Sequence, residues 1–120
     1  MKNQSMASSE ILDEWSRMKA QLEEIFRSRD QTNAKLQMEK GISLFLQFLY
    51  LVNDTSVPAG QAIPYNQLEI KPVNLEERLG FIISRPSLYH SYRQLSELMI
   101  ELQKLYVKKQ IIKKSSSLKS

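Results

Sequence analysis

The 120-residue chain carries 17 Lys and Arg against 13 Asp and Glu, a formal net charge of +4, with 42% apolar and 25% charged residues. Such a chain has room for one domain around one core, and its composition is that of a globular rather than a disordered protein. The lack of cysteine excludes disulfides, thiolate metal sites and a cysteine nucleophile together, and it fits a reducing compartment.

Residues 1–9 are polar, unlike a secretory signal, and no apolar run approaches the ~20 residues of a membrane span. The expectation is a cytoplasmic protein with no integral membrane segment. The charge is unevenly spread. Six of the 17 basic residues are Lys104, Lys108, Lys109, Lys113, Lys114 and Lys119, which leaves 11 basic against 13 acidic residues before position 104. The body is mildly acidic and the basicity belongs to the C-terminal end.

A first helix is predicted over residues 9–28, with Ser8 or Ser9 as N-cap and Glu10, Asp13 and Glu14 near its positive end. Ile11, Trp15, Met18, Leu22 and Ile25 step by four and three, forming a core-facing stripe with Phe26 beside it. Asp30 or Thr32 can cap a second helix reaching about residue 53. Its later half, residues 42–52, is apolar nearly all round, as a central helix must be.

Pro58, Pro64 and Pro72 exclude a continuous helix over residues 54–73. A connection this long either wraps the domain or is mobile. Leu68, Ile70 and Val73 predict that its second half lies extended against the helices, with residues 55–61 exposed. Asn74-Leu75-Glu76-Glu77 reads as a capping box opening a third helix, which carries Leu75, Leu79, Ile82 and Ile83 inward and stops before Pro86. A fourth helix is predicted over residues 87–113, with Pro86 in its first turn and Leu88, Tyr92, Leu95, Met99, Leu102 and Tyr106 as its stripe.

These elements predict an all-α fold: a four-helix, roughly up-and-down bundle with a long irregular connection between helices 2 and 3. The single domain spans residues 8–114, between flexible termini at 1–7 and 115–120. Gly41 and Gly80 lie inside helices, where glycine costs roughly 1 kcal/mol relative to alanine, and both are expected to permit close helix crossing.

His90, the single histidine, sits in the one segment where cationic, aromatic and titratable side chains cluster: Arg85, Tyr89, His90 and Arg93. On a helix His90 shares its face with Arg93, Gln94 and Glu97, which describes a half-exposed polar face; a small-molecule or phosphate site using Arg85, His90 and Arg93 is the alternative, followed by catalysis. Tyr89 and Arg93, four apart, are placed for a cation–π pair, and Tyr92 is expected in the core with its hydroxyl at the rim. One histidine cannot supply the two Glu-x-x-His pairs of a ferritin-like di-iron site. Glu23-Glu24 and Glu76-Glu77 point about 100° apart within each pair and serve helix ends, so no metal or other cofactor is predicted.

The basic end places Val107 and Ile111 on one flank with lysines beside them, an amphipathic pattern. Its readings are a solvated end complementing the helix dipole, contact with nucleic-acid phosphate or anionic lipid, or docking to a protein. Lysine without interleaved arginine gives charge but little base readout. A helix-turn-helix is disfavoured because the fourth helix is too long and its first apolar residues are needed for packing.

Glu76-Glu77-Arg78-Leu79, then Arg85-Pro86-Ser87-Leu88-Tyr89-His90-Ser91, then Gln94-Leu95 resembles the pattern of the YpoC-like family, small cytoplasmic proteins of low-GC Gram-positive bacteria. The resemblance covers mainly residues 44–114, leaves the N-terminal helix outside, and implies no biochemical activity. It raises interest in Arg85, Tyr89 and His90. Arg85 could equally cap carbonyls at the end of the third helix.

The function expected from these features is a non-enzymatic interaction or adaptor module, with a protein as its partner. Its contact surface would be the fourth helix and its basic end, where Lys104, Lys108, Lys109, Lys113 and Lys114 are the candidate contacts for an anionic partner. The alternatives are a weakly specific nucleic-acid-binding accessory protein and a small-ligand-binding domain around Arg85, Tyr89 and His90.

Overall fold

The structure, a computed structural model, is described over residues 7–58 and 60–119, and over side chains as far as residue 115. It comprises α1 (Ser8–Arg27), α2 (Gln31–Val52), a 3₁₀ turn (Tyr65–Gln67), α3 (Leu75–Ser84) and α4 (Tyr89–Lys119), and no strand occurs among the described residues. Residues 1–6 and 120 of the expected flexible termini lie outside this description.

α1 forms as its stripe requires, with Ile11, Trp15, Met18 and Leu22 buried. Its N-cap is Ala7 rather than a serine. Glu10, at the third helical position, accepts the Ala7 amide at 2.8 Å, the half of a capping box that needs no serine. α2 starts at Asp30, whose carboxylate accepts the Asn33 amide at 3.2 Å. Between them the chain turns through Arg29 at φ 58°, while the Ser28 hydroxyl closes the end of α1 on the Glu24 carbonyl at 2.8 Å.

The first half of α2 buries only Ala34 and Met38, whereas its later half is buried over most of its circumference through Gly41, Ile42, Leu44, Phe45, Phe48, Leu49 and Val52. It packs against α1 on one side and α4 on another. Ala34 of α2 shares a cleft with Tyr89 at the start of α4, and Val52 at its end meets Lys109, so α2 and α4 run parallel. α1 opposes both: Phe26 near its end packs on Tyr89 and Tyr92, while Glu10 near its start shares a groove with Tyr50 and Asp54. α3 opposes α4, with Arg78 on Glu101 and Phe81 on His90. Direction therefore alternates along the chain, and short α3 covers only the first part of α4.

Gly41 sits where α1, α2 and α4 converge. A Cβ there would lie 3.2 Å from Leu95 Cδ2, 3.2 Å from Trp15 Cζ3 and 3.4 Å from Met18 Sδ. Gly80 corrects the expectation for the other helical glycine: a Cβ there would meet nothing within 4 Å, and the residue faces solvent.

The long connection leaves the bundle at Asn53 and returns to it. Asn53 Nδ2 donates to the Leu49 and Ile70 carbonyls, both at 2.8 Å, and its Oδ1 accepts the Ile70 amide at 2.9 Å. One side chain thus closes a 17-residue excursion. The described part of residues 55–61 is largely exposed, whereas Leu68 is buried and Ile63, Tyr65 and Ile70 pack on the core. Val73, expected inward, is 75% exposed, and Pro72 takes the buried position.

The capping box at Asn74 does not form. Asn74 adopts a left-handed conformation (φ 58°, ψ 35°) and makes no side-chain cap, because an N-cap needs extended backbone to aim its oxygen at the helix amides. Arg78 holds this turn instead: its Nη1 donates to the Val73 carbonyl at 2.9 Å, and its two terminal nitrogens grip Glu101 at 2.9 and 2.7 Å. The bidentate pair ties α3 to α4. Ile83, expected inward, is exposed, and Leu75, Leu79 and Ile82 alone carry the buried face.

α4 begins at Tyr89, later than predicted, because residues 85–88 form a separate turn after Pro86. The Leu88 carbonyl accepts the Ser91 and Tyr92 amides, and the Leu88 side chain stays exposed rather than joining the stripe. Buried Ser91 secures the junction by donating to the Arg85 carbonyl at 2.6 Å. Tyr92, Leu95, Leu98, Met99 and Leu102 fill the core, and the helix continues to Lys119 where fraying was expected from residue 115.

The two glycines should respond oppositely to alanine. Gly80→Ala is expected to raise stability by roughly 1 kcal/mol through helix propensity. Gly41→Ala is expected to lower it, since overpacking costs about 1–3 kcal/mol. Urea denaturation of both variants checks this; equal shifts would remove the close crossing at Gly41.

The Arg78 guanidinium, first by its hydrogen bond and then by its charge, holds the Glu101 carboxyl below the usual glutamate range. Its contribution to stability is present above the unfolded glutamate pKa and is lost as pH falls through the lowered folded value. The gap in melting temperature between wild type and Glu101→Gln should therefore narrow on acidification from neutral pH to about 3; a constant gap would contradict the linkage.

Candidate functional site

The Arg85 to Arg93 segment straddles the α3–α4 junction, and the structure divides its four candidate residues. Arg85, the C-cap of α3, lays its guanidinium over the Phe81 ring at 5.1 Å, and His90 meets the same ring edge-on at 5.5 Å. The cation–π pair at this junction is Arg85 on Phe81, in place of Arg93 on Tyr89. Tyr89 turns the other way and packs on Phe26 at 5.6 Å and Tyr92 at 5.7 Å. Tyr89, His90 and Arg93 line an open cleft of about 260 Å³ with Gln94 and Glu97, but Arg85 is not in its wall.

Behind Tyr89 the packing is firmer. Tyr92 is buried, and its hydroxyl donates to Glu23 Oε2 at 2.6 Å, joining α4 to α1 across 69 positions of sequence. Burial first, then this carboxylate, pushes the Tyr92 phenol well above the usual range. The acidic pairs are likewise engaged in structure: Glu23 accepts from Tyr92, Glu24 pairs with Arg27 at 2.6 Å, and Glu76 and Glu77 occupy the first turn of α3.

The α1–α2 turn brings up residues that sequence reasoning did not connect to Tyr89. Phe26 and Arg27 share one cleft with it, and Phe26, Arg29 and Ala34 share another. Arg27 and Arg29 are far from Tyr89 in sequence and belong to an ordinary turn, so no local signal marked them. A concavity of about 970 Å³ lies at the opposite end between the start of α1, the end of α2 and residues 54–57; Glu10, Tyr50 and Asp54 are among its lining residues.

The lysine-rich end of α4 separates into two sets. Lys109 Nζ donates to the carbonyl of Val52, the last residue of α2, and to Asp54 Oδ2 at 2.7 Å. A cation at a helix C-terminus complements both the dipole and an orphan carbonyl. The hydrogen bond from Lys109, then its charge, holds the Asp54 carboxyl below the usual carboxylate range, and the charge of Lys113 acts in the same direction. Of the five candidate lysines, Lys109 alone is thus bound to the end of α2.

Lys104, Lys108 and Lys114 are exposed on the other side of α4, where Ile100, Val107 and Ile111 are 49%, 49% and 60% exposed. At 100° per residue, positions 100, 104, 107, 111 and 114 follow one line along the helix. Tyr92, Leu95, Met99 and Leu102 follow another with the same spacing, buried against the body. α4 therefore has a filled inner seam and an open outer seam.

The fold defines a small four-helix protein whose last helix carries a lysine-edged aliphatic face. The chain belongs to the YpoC-like protein family, which it matches over residues 5–114, so the N-terminal helix left outside the sequence resemblance lies within the family's extent. A curated relative from Bacillus subtilis (strain 168), named "Uncharacterized protein YpoC", is 31% identical over 100 residues. The aligned region covers 82% of this chain and 61% of the relative, so the chain spans about three fifths of that protein's length. No solved structure matches. Among the described residues, no helix is long and apolar enough to cross a membrane.

Lys109→Met keeps the aliphatic stem and removes the ammonium that Val52 and Asp54 share. It is expected to lower the melting temperature by several degrees, whereas Lys108→Met should leave it unchanged. Matching melting curves for the two variants would show that Lys109 does not clamp the end of α2.

Proposed function

We propose that this chain is a non-enzymatic docking module whose contact surface is the outer face of α4. The observation that carries the reading is the open seam of Ile100, Val107 and Ile111 between Lys104, Lys108 and Lys114, on the same helix whose inner seam is filled. Exposed aliphatic residues are ordinary singly, but three aligned on one helical face and edged by one sign of charge give a surface that excludes water only when covered.

Charge placement supports the same face. No acidic residue follows Glu101, so the outer seam keeps its positive edges from Lys104 onward. Lys109 is bound to Val52 and Asp54 and contributes little to that surface. The junction residues Arg85 and His90 are stacked on Phe81, which supports a structural part for them beside the open cleft at Arg93.

The test uses the full chain, with Ile100→Asp, Val107→Asp and Ile111→Asp combined. These side chains are exposed, so the variant should fold and melt like wild type. Chemical crosslinking in a native lysate is expected to give adducts that reach α4 lysines in the wild type and disappear in the variant, while Arg93→Ala retains them. An unchanged set of α4 adducts in the triple variant would overturn the assignment.

A further inference from the structure

We infer that the outer seam of α4 takes an acidic amphipathic helix of a partner protein, packed against it as a two-stranded coiled coil. This rests on the docking face argued above and specifies its occupant. Positions 100, 104, 107, 111 and 114 step by four, three, four and three, the spacing that keeps one helix in register with another. The inner seam uses the same steps to pack on the body, so α4 already meets other helices in this way along its buried side.

Chemistry selects among the possible occupants. A parallel second copy would bring lysines against lysines, and an antiparallel one with Ile100 on Ile111 would give Lys114 only Glu97 and leave Lys104 and Lys108 without a carboxylate, because no acidic residue follows Glu101 and Glu101 itself is held by Arg78. Nucleic acid would satisfy Lys104, Lys108 and Lys114 but leave Ile100, Val107 and Ile111 uncovered, and the seam has no arginine for base readout. A lipid surface favours a broad apolar face with large side chains, whereas this strip is built of isoleucine and valine, is interrupted by Lys104 and is widened only at its end by Ile112. An acidic helix meets both requirements at once. Its aliphatic seam residues cover Ile100, Val107 and Ile111, and its flanking glutamates face Lys108 and its neighbours. A charged residue at Lys104 within the seam selects register and partner, since an acidic side chain opposite it is neutralised and an apolar or basic one is not.

The probe is a fluorescently labelled synthetic peptide of about four heptads, with leucine at the seam positions and glutamate on their flanks. Anisotropy titrations with the full-length protein compare it with a lysine-flanked version, with phosphatidylserine vesicles and with a single-stranded oligonucleotide. Saturable binding of the glutamate peptide, weakened about tenfold or more by Val107→Asp or Ile111→Asp and absent for the lysine peptide, is the expected result. Circular dichroism melts of both variants establish that each is folded. Equal binding by wild type and variants would reduce the attraction to charge alone and overturn the inference. Failure of the peptide, with vesicle or oligonucleotide binding lost in the same variants, would overturn the helical partner while keeping the docking face. No binding of any probe, together with unchanged α4 crosslinks in the triple variant, would overturn both.

Discussion

A helix that is apolar nearly all round cannot stand at a surface, and this requirement of α2 organises the molecule. Cover comes from α1 on one side and α4 on another, and Gly41 lets Trp15, Met18 and Leu95 approach its backbone. Because only a short turn through Arg29 joins α1 to α2, the two must run antiparallel. α4 reaches the opposite side only after the excursion through residues 53–74 and the short α3. That excursion is long enough to bring α4 back parallel to α2, and Asn53 fastens it where it returns.

The parallel arrangement gives the end of α2 and the middle of α4 a shared electrostatic problem. α2 ends in orphan carbonyls beside Asp54, and α4 passes with a run of lysines. Lys109 answers the carbonyl and the carboxylate together, which fixes how α4 is rotated about its axis at that level. The same rotation sends Lys104, Lys108 and Lys114 outward with the isoleucines between them. A stabilising contact inside the molecule and the composition of its outer face are therefore two results of one orientation.

What could be read from sequence divides along the range of the interactions. The stripe of α1, that of α4 from Tyr92 onward, the encircling burial of the later half of α2 and the cap at Asp30 are local patterns, and they appear where periodicity and chain chemistry put them. The family resemblance was also legible, at the Glu76–Leu79, Arg85–Ser91 and Gln94-Leu95 motifs. The departures come where a tertiary partner overrides a local rule. Asn74 is left-handed in a turn that Arg78 anchors to Glu101; Val73 faces out because Pro72 takes the buried position, and Ile83 because α3 buries one narrow face; a Cβ at Gly80 would meet nothing within 4 Å. Tyr92 on Glu23 and Lys109 on Val52 link residues 69 and 57 positions apart, and nothing in the local sequence pairs them. The candidate surface was half visible: the lysine cluster and the Val107–Ile111 flank could be read directly, but its division into an inward and an outward set required knowing where α2 ends.

α4 contains neither glycine nor proline over Tyr89–Lys119, so it is one uninterrupted rod, part embedded and part overhanging. Such a rod works as a shaft: the embedded length sets the angular phase of the overhang, and nothing between them absorbs a twist. A single residue inserted between Leu102 and Val107 would turn everything beyond it by about 100° and advance it by about 1.5 Å. Lys109 would be carried away from Val52 and Asp54, and the outer seam would turn with it. The spacing between core and overhang is thus as much a part of the surface as the side chains it presents.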